Sequence, residues 1–411
     1  MLKIENEYVS FNELYEAYID CRKRKRTTSN CINFELDLNK NLWSLYYDLN
    51  TMNYEIGKSI VFCVDRPVVR EVFAADFRDR IVHHLVINKI LPLLENKNNE
   101  GSFIENSFSC RKGKGTLFGV NKCYEHIKDA SYNYTRDCYV VKCDLKSFFM
   151  TINKDELFKK LSNFIKKHYI KPFNTNITSD FIIYLIGKII YNQPQKNCIV
   201  KGKNLWRILP PEKSLFNCDL KHGLPIGNLS SQIFANFYLS EFDHMMTDEL
   251  KLLYYGRYVD DFYFIVLNKE RIPFILDKIK EKLYSMGVIL HPKKLYIQHY
   301  SKGVNFIGTT LKPNRKYINN RTKGNFCKCL IEQNESLLEN NNALNIAHVS
   351  GVINSYLGFL KHTKSYKIKR KYISKYCPEI LKYCDFSGAN KLTSYEKLNR
   401  YDYKYIYNYL T

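Results

Sequence analysis

Residues 252–267 read LLYYGRYVDDFYFIVL, an aromatic and β-branched run interrupted by two adjacent carboxylates, Asp260 and Asp261. Such residues favour strands, and acids flanked by them on both sides mark the turn of a hairpin. Two like charges held between apolar strands repel each other and lose solvation unless a cation offsets them. A plain β-turn leaves that cost unexplained, and a metal site explains it.

Upstream, YVVKCD at residues 139–144 predicts a buried strand that delivers Asp144 at its tip. In SSQIFANFYLSEFDHMM (residues 230–246), Ile233, Phe237, Phe242 and Met245 fall near helical spacing, with two serines as N-cap candidates. Downstream, residues 270–286 carry Ile272, Leu276, Ile279, Leu283 and Met286 on one helix face and stop at Gly287, and VILHPKKLYI follows as the next strand. Strand, helix, hairpin, helix, strand is the order of a split βαβ sheet, which brings the end of the first strand beside the central hairpin. Asp144 and Asp260 therefore meet, although 260 − 144 = 116 positions separate them.

The whole chain narrows the class of partner. Its 411 residues carry a net charge of +22 and are 45% hydrophobic, enough for a multi-lobed enzyme facing a polyanion, with nucleic acid as the default. A membrane is not expected: no apolar run approaches the roughly 20 residues needed to span one. The longest candidate, Phe181 to Tyr191, is interrupted by Lys188. The opening MLKIENEYVSFNE lacks the basic-then-apolar order of a signal peptide, so the expected location is cytoplasmic. Thirteen dispersed cysteines without a C-x2-C pair read as reduced, buried thiols. No repeat or low-complexity linker divides the chain. A helix is expected from Asp76 through Ile90, others near Leu157 to Ile165 and Ile182 to Ile190, and a basic cluster, CRKRKR, occupies residues 21–26.

Carboxylates without histidine or thiol partners suit Mg2+, a hard ion that keeps oxygen ligands. Two such ions about 4 Å apart serve nucleotidyl transfer by stabilising the attacking 3′-oxygen and the leaving pyrophosphate together. Asp144, Asp260, Asp261 and the carbonyl of Leu145 are the candidate ligands.

With these residues in view the chain resembles the reverse transcriptases. Tyr258-Val259-Asp260-Asp261 looks like their Y-x-D-D box, and CDLKSFF (residues 143–149) resembles their first aspartate motif. GLPIGNLSSQ (residues 223–232) is similar to the motif before that hairpin, in the form found in diversity-generating retroelement enzymes and related bacterial ones, where Ile226 replaces a commoner glutamine. REVFAADFRDRIVHH, SFSCRKGKGT, LPPEKSLF, NFIGTTLKPNRKYINNRTKGNF and INSYLGFLKHTKSYKIKRK extend the resemblance over roughly Phe11 to Lys371.

The resemblance implies an α+β right-hand polymerase. Residues 1–60 would be an N-terminal helical extension, 61–300 fingers and palm, 301–380 primer grip and helical thumb, and 381–411 a Tyr-rich tail. It implies RNA-templated DNA synthesis with two Mg2+ ions, Mn2+ being able to substitute. Arg70 and Arg66 would clamp the triphosphate, and Phe149 would exclude a ribose 2′-hydroxyl. Ile226 and Gln232 would lie at the nucleotide, and Lys294 in HPKK would protonate pyrophosphate. Arg111, Lys112 and Lys114 of RKGKGT would meet the template, Phe306 and Gly308 the primer end, and a thumb helix from Tyr356 to Tyr372 the duplex. An apolar Ile226 gives up a hydrogen-bonding check near the nascent pair, which lowers fidelity.

Implied partners are an RNA template, a DNA or RNA primer, deoxynucleoside triphosphates, and a small basic accessory protein or a dedicated non-coding RNA. The alternative is an antiphage defence or abortive-infection reverse transcriptase, making DNA without a template or with protein priming. Tyrosines 401, 403, 405, 407 and 409 of the tail fall at period two, the spacing of one strand face. They suit an added edge strand, a base-stacking strip or a priming hydroxyl.

Overall fold

In a computed structural model that describes residues 4, 7–23, 25–65, 68–386 and 390–395, the chain begins with a capped helix. The Ser10 hydroxyl accepts from the Glu13 amide while the Glu13 carboxylate accepts from the Ser10 amide, satisfying two otherwise orphaned donors. Helices α1 (Phe11–Arg22), α2 (Ser29–Leu36) and α3 (Leu38–Asn50) form an N-terminal layer, and α1 lies along α4 (Phe77–Glu95). The helix expected from Asp76 through Ile90 is α4, which takes Asp76 as its cap and runs past Pro92 to Glu95.

The contacts divide the chain into two units, Met1–Gly119 with Val141–Ile297, and Val120–Val140 with Gln298–Thr411. The first unit holds a sheet of β1 (Ser59–Val64), β2 (Arg70–Ala74) and β4 (Cys198–Val200), ordered β2-β1-β4. Between β2 and β4 lie α5 (Thr116–Ala130), β3 (Tyr139–Asp144), α6 (Phe148–Thr151), α7 (Lys154–His168) and α8 (Ser179–Tyr191). Helix α5 carries the chain from the first unit into the second.

The expected split sheet is present. Strands β5 (Tyr255–Tyr258) and β6 (Asp261–Val266) form the hairpin, and with β3 and β7 (Tyr296–His299) they lie in the order β5-β6-β3-β7. Helix α11 (Arg271–Ser285) follows the hairpin and ends before Gly287, whose φ of +68° suits a residue without a Cβ.

Three local expectations are corrected. VILHPKKLYI is not one strand: only its end enters β7, because Pro292 has no N–H to give a ladder and HPKK turns instead. Ser230 and Ser231 do not cap; α9 (Leu229–Tyr238) takes Asn228 at that position, and both serines are buried inside the helix. The run also breaks at Leu239, after which α10 (Ser240–His244) starts afresh.

The second unit has an antiparallel meander of β8 (Val304–Phe306), β9 (Thr309–Lys312) and β10 (Arg315–Ile318). Helices α12 (Asn320–Glu339), α13 (Ala343–Leu360) and α14 (Tyr366–Tyr376) pack around Phe326, Leu330, Val349, Ile353, Leu357 and Ile373. The helix expected from Tyr356 to Tyr372 is two helices, since the Ser365 hydroxyl donates to the Leu360 carbonyl at 2.7 Å and closes α13. A short pair, β11 (Cys384–Asp385) and β12 (Thr393–Ser394), follows. The tail tyrosines lie outside the described residues. All thirteen cysteines are free thiols, and none is exposed. Among the described residues no helix is long and apolar enough to cross a membrane.

Candidate active site

Asp144 ends β3, and its backbone is anchored on both sides. Its carbonyl accepts from the His291 amide at 2.8 Å, and the next amide, Leu145 N–H, donates to the Asp260 carbonyl at 3.2 Å. That second bond sets the end of β3 against the hairpin turn, where Val259 and Asp260 connect Tyr258 to its register partner Asp261. Val259 holds φ at +57°, a left-handed conformation unusual for a β-branched residue.

Burial, with the charges of Asp144 and Asp261 added to it, pushes the Asp260 carboxyl up to about 6, with the Arg70 cation opposing. Burial also raises Asp261, against the pull of Lys142, whose ammonium lies 3.1 Å from its Oδ1. Lys294 Nζ stands 2.8 Å from Asp144 Oδ1. Two lysines thus supply the positive charge that three clustered carboxylates require.

Among the described residues no group of three or more His, Cys, Asp or Glu side chains is arranged to hold a metal. The oxygen-only donors at this turn nevertheless fit Mg2+ or Mn2+, since Mg2+ takes most ligands from water and nucleotide phosphates and needs only one or two protein carboxylates.

The second wall of the site rests on β2. Gly227 has φ +122°, and a Cβ there would lie 2.7 Å from Val72 Cγ1 and 2.9 Å from the Phe73 carbonyl oxygen. Only glycine lets the chain pass so close, and the adjacent Ile226 carbonyl accepts from Phe73 N–H at 2.7 Å. Ile226 and Phe149 are both half-buried against Val61, Phe73, Met150 and Leu215, so they share one wall. Arg70 is exposed at the start of this strand. Gln232 accepts from the Cys110 thiol at 2.7 Å. Arg66 lies outside the described residues.

Three side chains expected at the nucleic acid, Arg111, Lys114 and Phe306, are engaged within the protein instead. Arg111 is buried, its guanidinium taken up by the Glu95 carboxylate and the carbonyls of Ile104 and Ser107, so it braces the loop from within. Lys114 is likewise tied to Glu105, leaving Lys112 as the exposed cation of the three. Phe306 is 1% exposed, so its ring belongs to the core of its unit. The turn beside it, Ile307 at φ +43° and Gly308 at +78°, is partly exposed, and the Gly308 carbonyl accepts from Asn319 N–H at 3.1 Å.

Sequence reading missed three residues. Lys142 was findable, because it stands two positions before Asp144 and so shares its strand face. Glu71, buried on β2, accepts from Trp206 Nε1, Ser214 Oγ and the Leu215 amide at 2.7–2.9 Å and docks the LPPEKSLF segment. Arg257 lies wholly buried under the turn.

No curated protein matches the chain. Similar solved structures include apo telomerase from Candida tropicalis truncated from its C-terminal domain, at 17% identity and TM-score 0.48, covering 64% of this chain and 55% of that one. Another is apo telomerase from the same organism, at 15% identity and TM-score 0.46, covering 78% and 58%. A third is telomerase from Candida albicans with a TWJ fragment of telomeric RNA, at 14% and 0.45, covering 82% and 60%. The chain thus spans little more than half the length of these structures. The family described as reverse transcriptase (RNA-dependent DNA polymerase) matches residues 70–311, more than half of the chain and all of the hairpin, β3 and β2. The chain therefore belongs to the reverse transcriptase family.

Proposed function

We propose that the chain is an RNA-directed DNA polymerase that extends a primer on an RNA template from deoxynucleoside triphosphates. The observation that carries this reading is the convergence of Asp144, Asp260 and Asp261 at one turn, where burial and mutual repulsion push Asp260 up to about 6. In the reaction the primer 3′-oxygen bonds to the α-phosphorus as the bond to the bridging oxygen breaks, and pyrophosphate leaves with that electron pair. Two divalent ions, when held by Asp144, Asp260, Asp261 and the Leu145 carbonyl, would stabilise the attacking and departing oxygens.

This chain's own groups do the rest. Arg70, exposed and close enough for its charge to act on Asp260, pairs with the triphosphate. Phe149 and Ile226 form the wall against the incoming sugar and base, and Gln232 borders it. Lys294, already seated at Asp144, gives a proton from Nζ to the leaving pyrophosphate. Lys112 meets the template phosphates, and the Ile307–Gly308 turn meets the primer. Residues 61–300 act as fingers and palm and 301–380 as grip and thumb, between an N-terminal extension and the Tyr-rich tail.

The retroelement type, with a structured template RNA and a small basic accessory protein, is supported by the GLPIGN form of the motif around Ile226. The net charge of +22 supports an RNA partner of either kind. Primer extension with Mg2+ on a mixed-sequence RNA, with Asp260→Asn and no-template lanes, tests the reading. Template-dependent product that vanishes in the variant supports it. Product without template assigns the chain to the defence type, and undiminished extension by Asp260→Asn sinks the site.

A further inference from the structure

Arg257 and Asp243 form an ion pair with no exposure on either side chain. Arg257 Nε donates to Asp243 Oδ1 at 2.7 Å, and the Tyr255 hydroxyl donates to the same oxygen at 2.6 Å. Nη2 serves the second oxygen. Nη1 remains, and it donates to the Val259 carbonyl at 2.9 Å and to Asn236 Oδ1 at 3.2 Å.

Val259 is the residue at φ +57°. A left-handed L-residue costs about 1–2 kcal/mol, more for a β-branched one, so this turn needs a hold from outside itself. The same two residues also hold the neighbouring segment, Arg257 through its backbone and Asn236 through its side chain. Arg257 exchanges backbone hydrogen bonds with Asn106 and Phe108, each at 2.9 Å, and Asn236 Nδ2 donates to the Ser109 carbonyl at 2.8 Å. The carboxylate turn and the approach to the basic loop at residues 111–115 therefore both meet at Arg257 and Asn236.

We propose that Arg257, oriented by Asp243 and Asn236, is a positioning residue that sets the Asp260 turn and thereby its affinity for a divalent ion. The inference rests on the polymerase reading of the site. Lysine at this position keeps a charge for Asp243 but has no planar fork to serve a carboxylate and a carbonyl together.

The test is Mn2+ binding to the full chain without nucleotide, followed by electron paramagnetic resonance, beside the Mg2+ dependence of primer extension. Arg257→Lys is expected to weaken Mn2+ binding about tenfold and to raise the Mg2+ half-saturation equally, the size seen when a group supporting a metal ligand is lost. Tyr255→Phe loses a bond to the same carboxylate but leaves Val259 held, and it keeps both wild-type values. Val259→Gly in the Arg257→Lys background recovers most of the loss, because glycine enters the left-handed region freely.

Wild-type Mn2+ affinity in Arg257→Lys overturns the proposal, as does an equal loss in Tyr255→Phe at matched melting temperature. Should Arg257→Lys fail to fold, Asn236→Ala removes one of the two acceptors that orient Nη1 without stranding a buried charge, and unchanged Mn2+ affinity in that variant overturns it too. Metal binding with the expected pattern but no extension on any template would defeat the polymerase reading and leave this inference standing.

Discussion

Lys294 Nζ lies 2.8 Å from Asp144 Oδ1, so the proposed proton donor and a proposed metal ligand are ion-paired at the end of the four-stranded sheet. A divalent ion held at Asp144 would compete with that pair for the same carboxylate oxygen. Lys294→Gln should lower the maximal rate of single-nucleotide addition about 10²-fold, the size typical for loss of a general acid. The KM for the nucleotide should stay within a factor of about three, since ground-state binding is untouched. Pre-steady-state extension measures both.

Phe149 is half-buried beside Ile226 rather than locked in the core. Phe149→Leu opens space on the sugar side at little packing cost. The preference for dATP over ATP should fall about 10- to 100-fold, within the range that a steric misfit provides. An unchanged ratio removes Phe149 from the sugar pocket.

Ile226 presents an apolar side chain while its carbonyl is fixed on Phe73 N–H. Ile226→Gln keeps that backbone bond and adds polar atoms. Misincorporation on a defined RNA template should drop several-fold, about 1 kcal/mol of added discrimination, as read by sequencing the products.

Arg111 and Lys112 are adjacent and should behave oppositely. Arg111→Ala strands Glu95 and two carbonyls and should cost about 2–4 kcal/mol in urea unfolding. Lys112→Ala should leave stability within about 0.5 kcal/mol and weaken RNA binding, with a shallower salt dependence by about one counterion. Equal effects on RNA binding at equal stability would return Arg111 to the template surface.

His83 on α4 is buried, with Ser230 Oγ 3.3 Å from its Nδ1. Burial, aided by the charges of His84 and Arg80, lowers it to about 3 from an ordinary 6.5. A depressed histidine contributes stability that is present above the unfolded value and lost as pH falls toward the folded one. Stability should therefore decline from pH 6.5 toward pH 3, by on the order of 4 kcal/mol from this group. His83→Gln should flatten that part of the curve in urea titrations at stepped pH.

Elements carried by local periodicity were legible. The hairpin around Asp260, the strand ending at Asp144 and the amphipathic helix stopping at Gly287 each declare themselves within about ten to fifteen residues, and the split sheet follows from their order. Residues whose meaning depends on a distant partner were not. Arg111 and Lys112 look alike in RKGKGT, and only Glu95, on the far end of α4, separates a brace from a surface cation. Arg257 reads as one more basic residue until Asp243 and Val259 are seen around it. Phe306 fits a family motif, but its ring is 1% exposed, which the motif alone does not reveal.

The second unit takes residues 120–140 from the middle of the chain and joins them to residues from 298 onward. Cys123, Ile127, Ala130 and Cys138 are buried there, and the Tyr300 hydroxyl donates to the Tyr134 carbonyl at 2.8 Å. On the ribosome that segment emerges about 160 residues before its partners, which at roughly 5–20 residues per second means a wait on the order of ten seconds or more. During that interval its apolar side chains are unshielded. A nascent chain stalled before residue 298 would therefore expose those side chains, and a fragment ending there should aggregate more readily than the full chain.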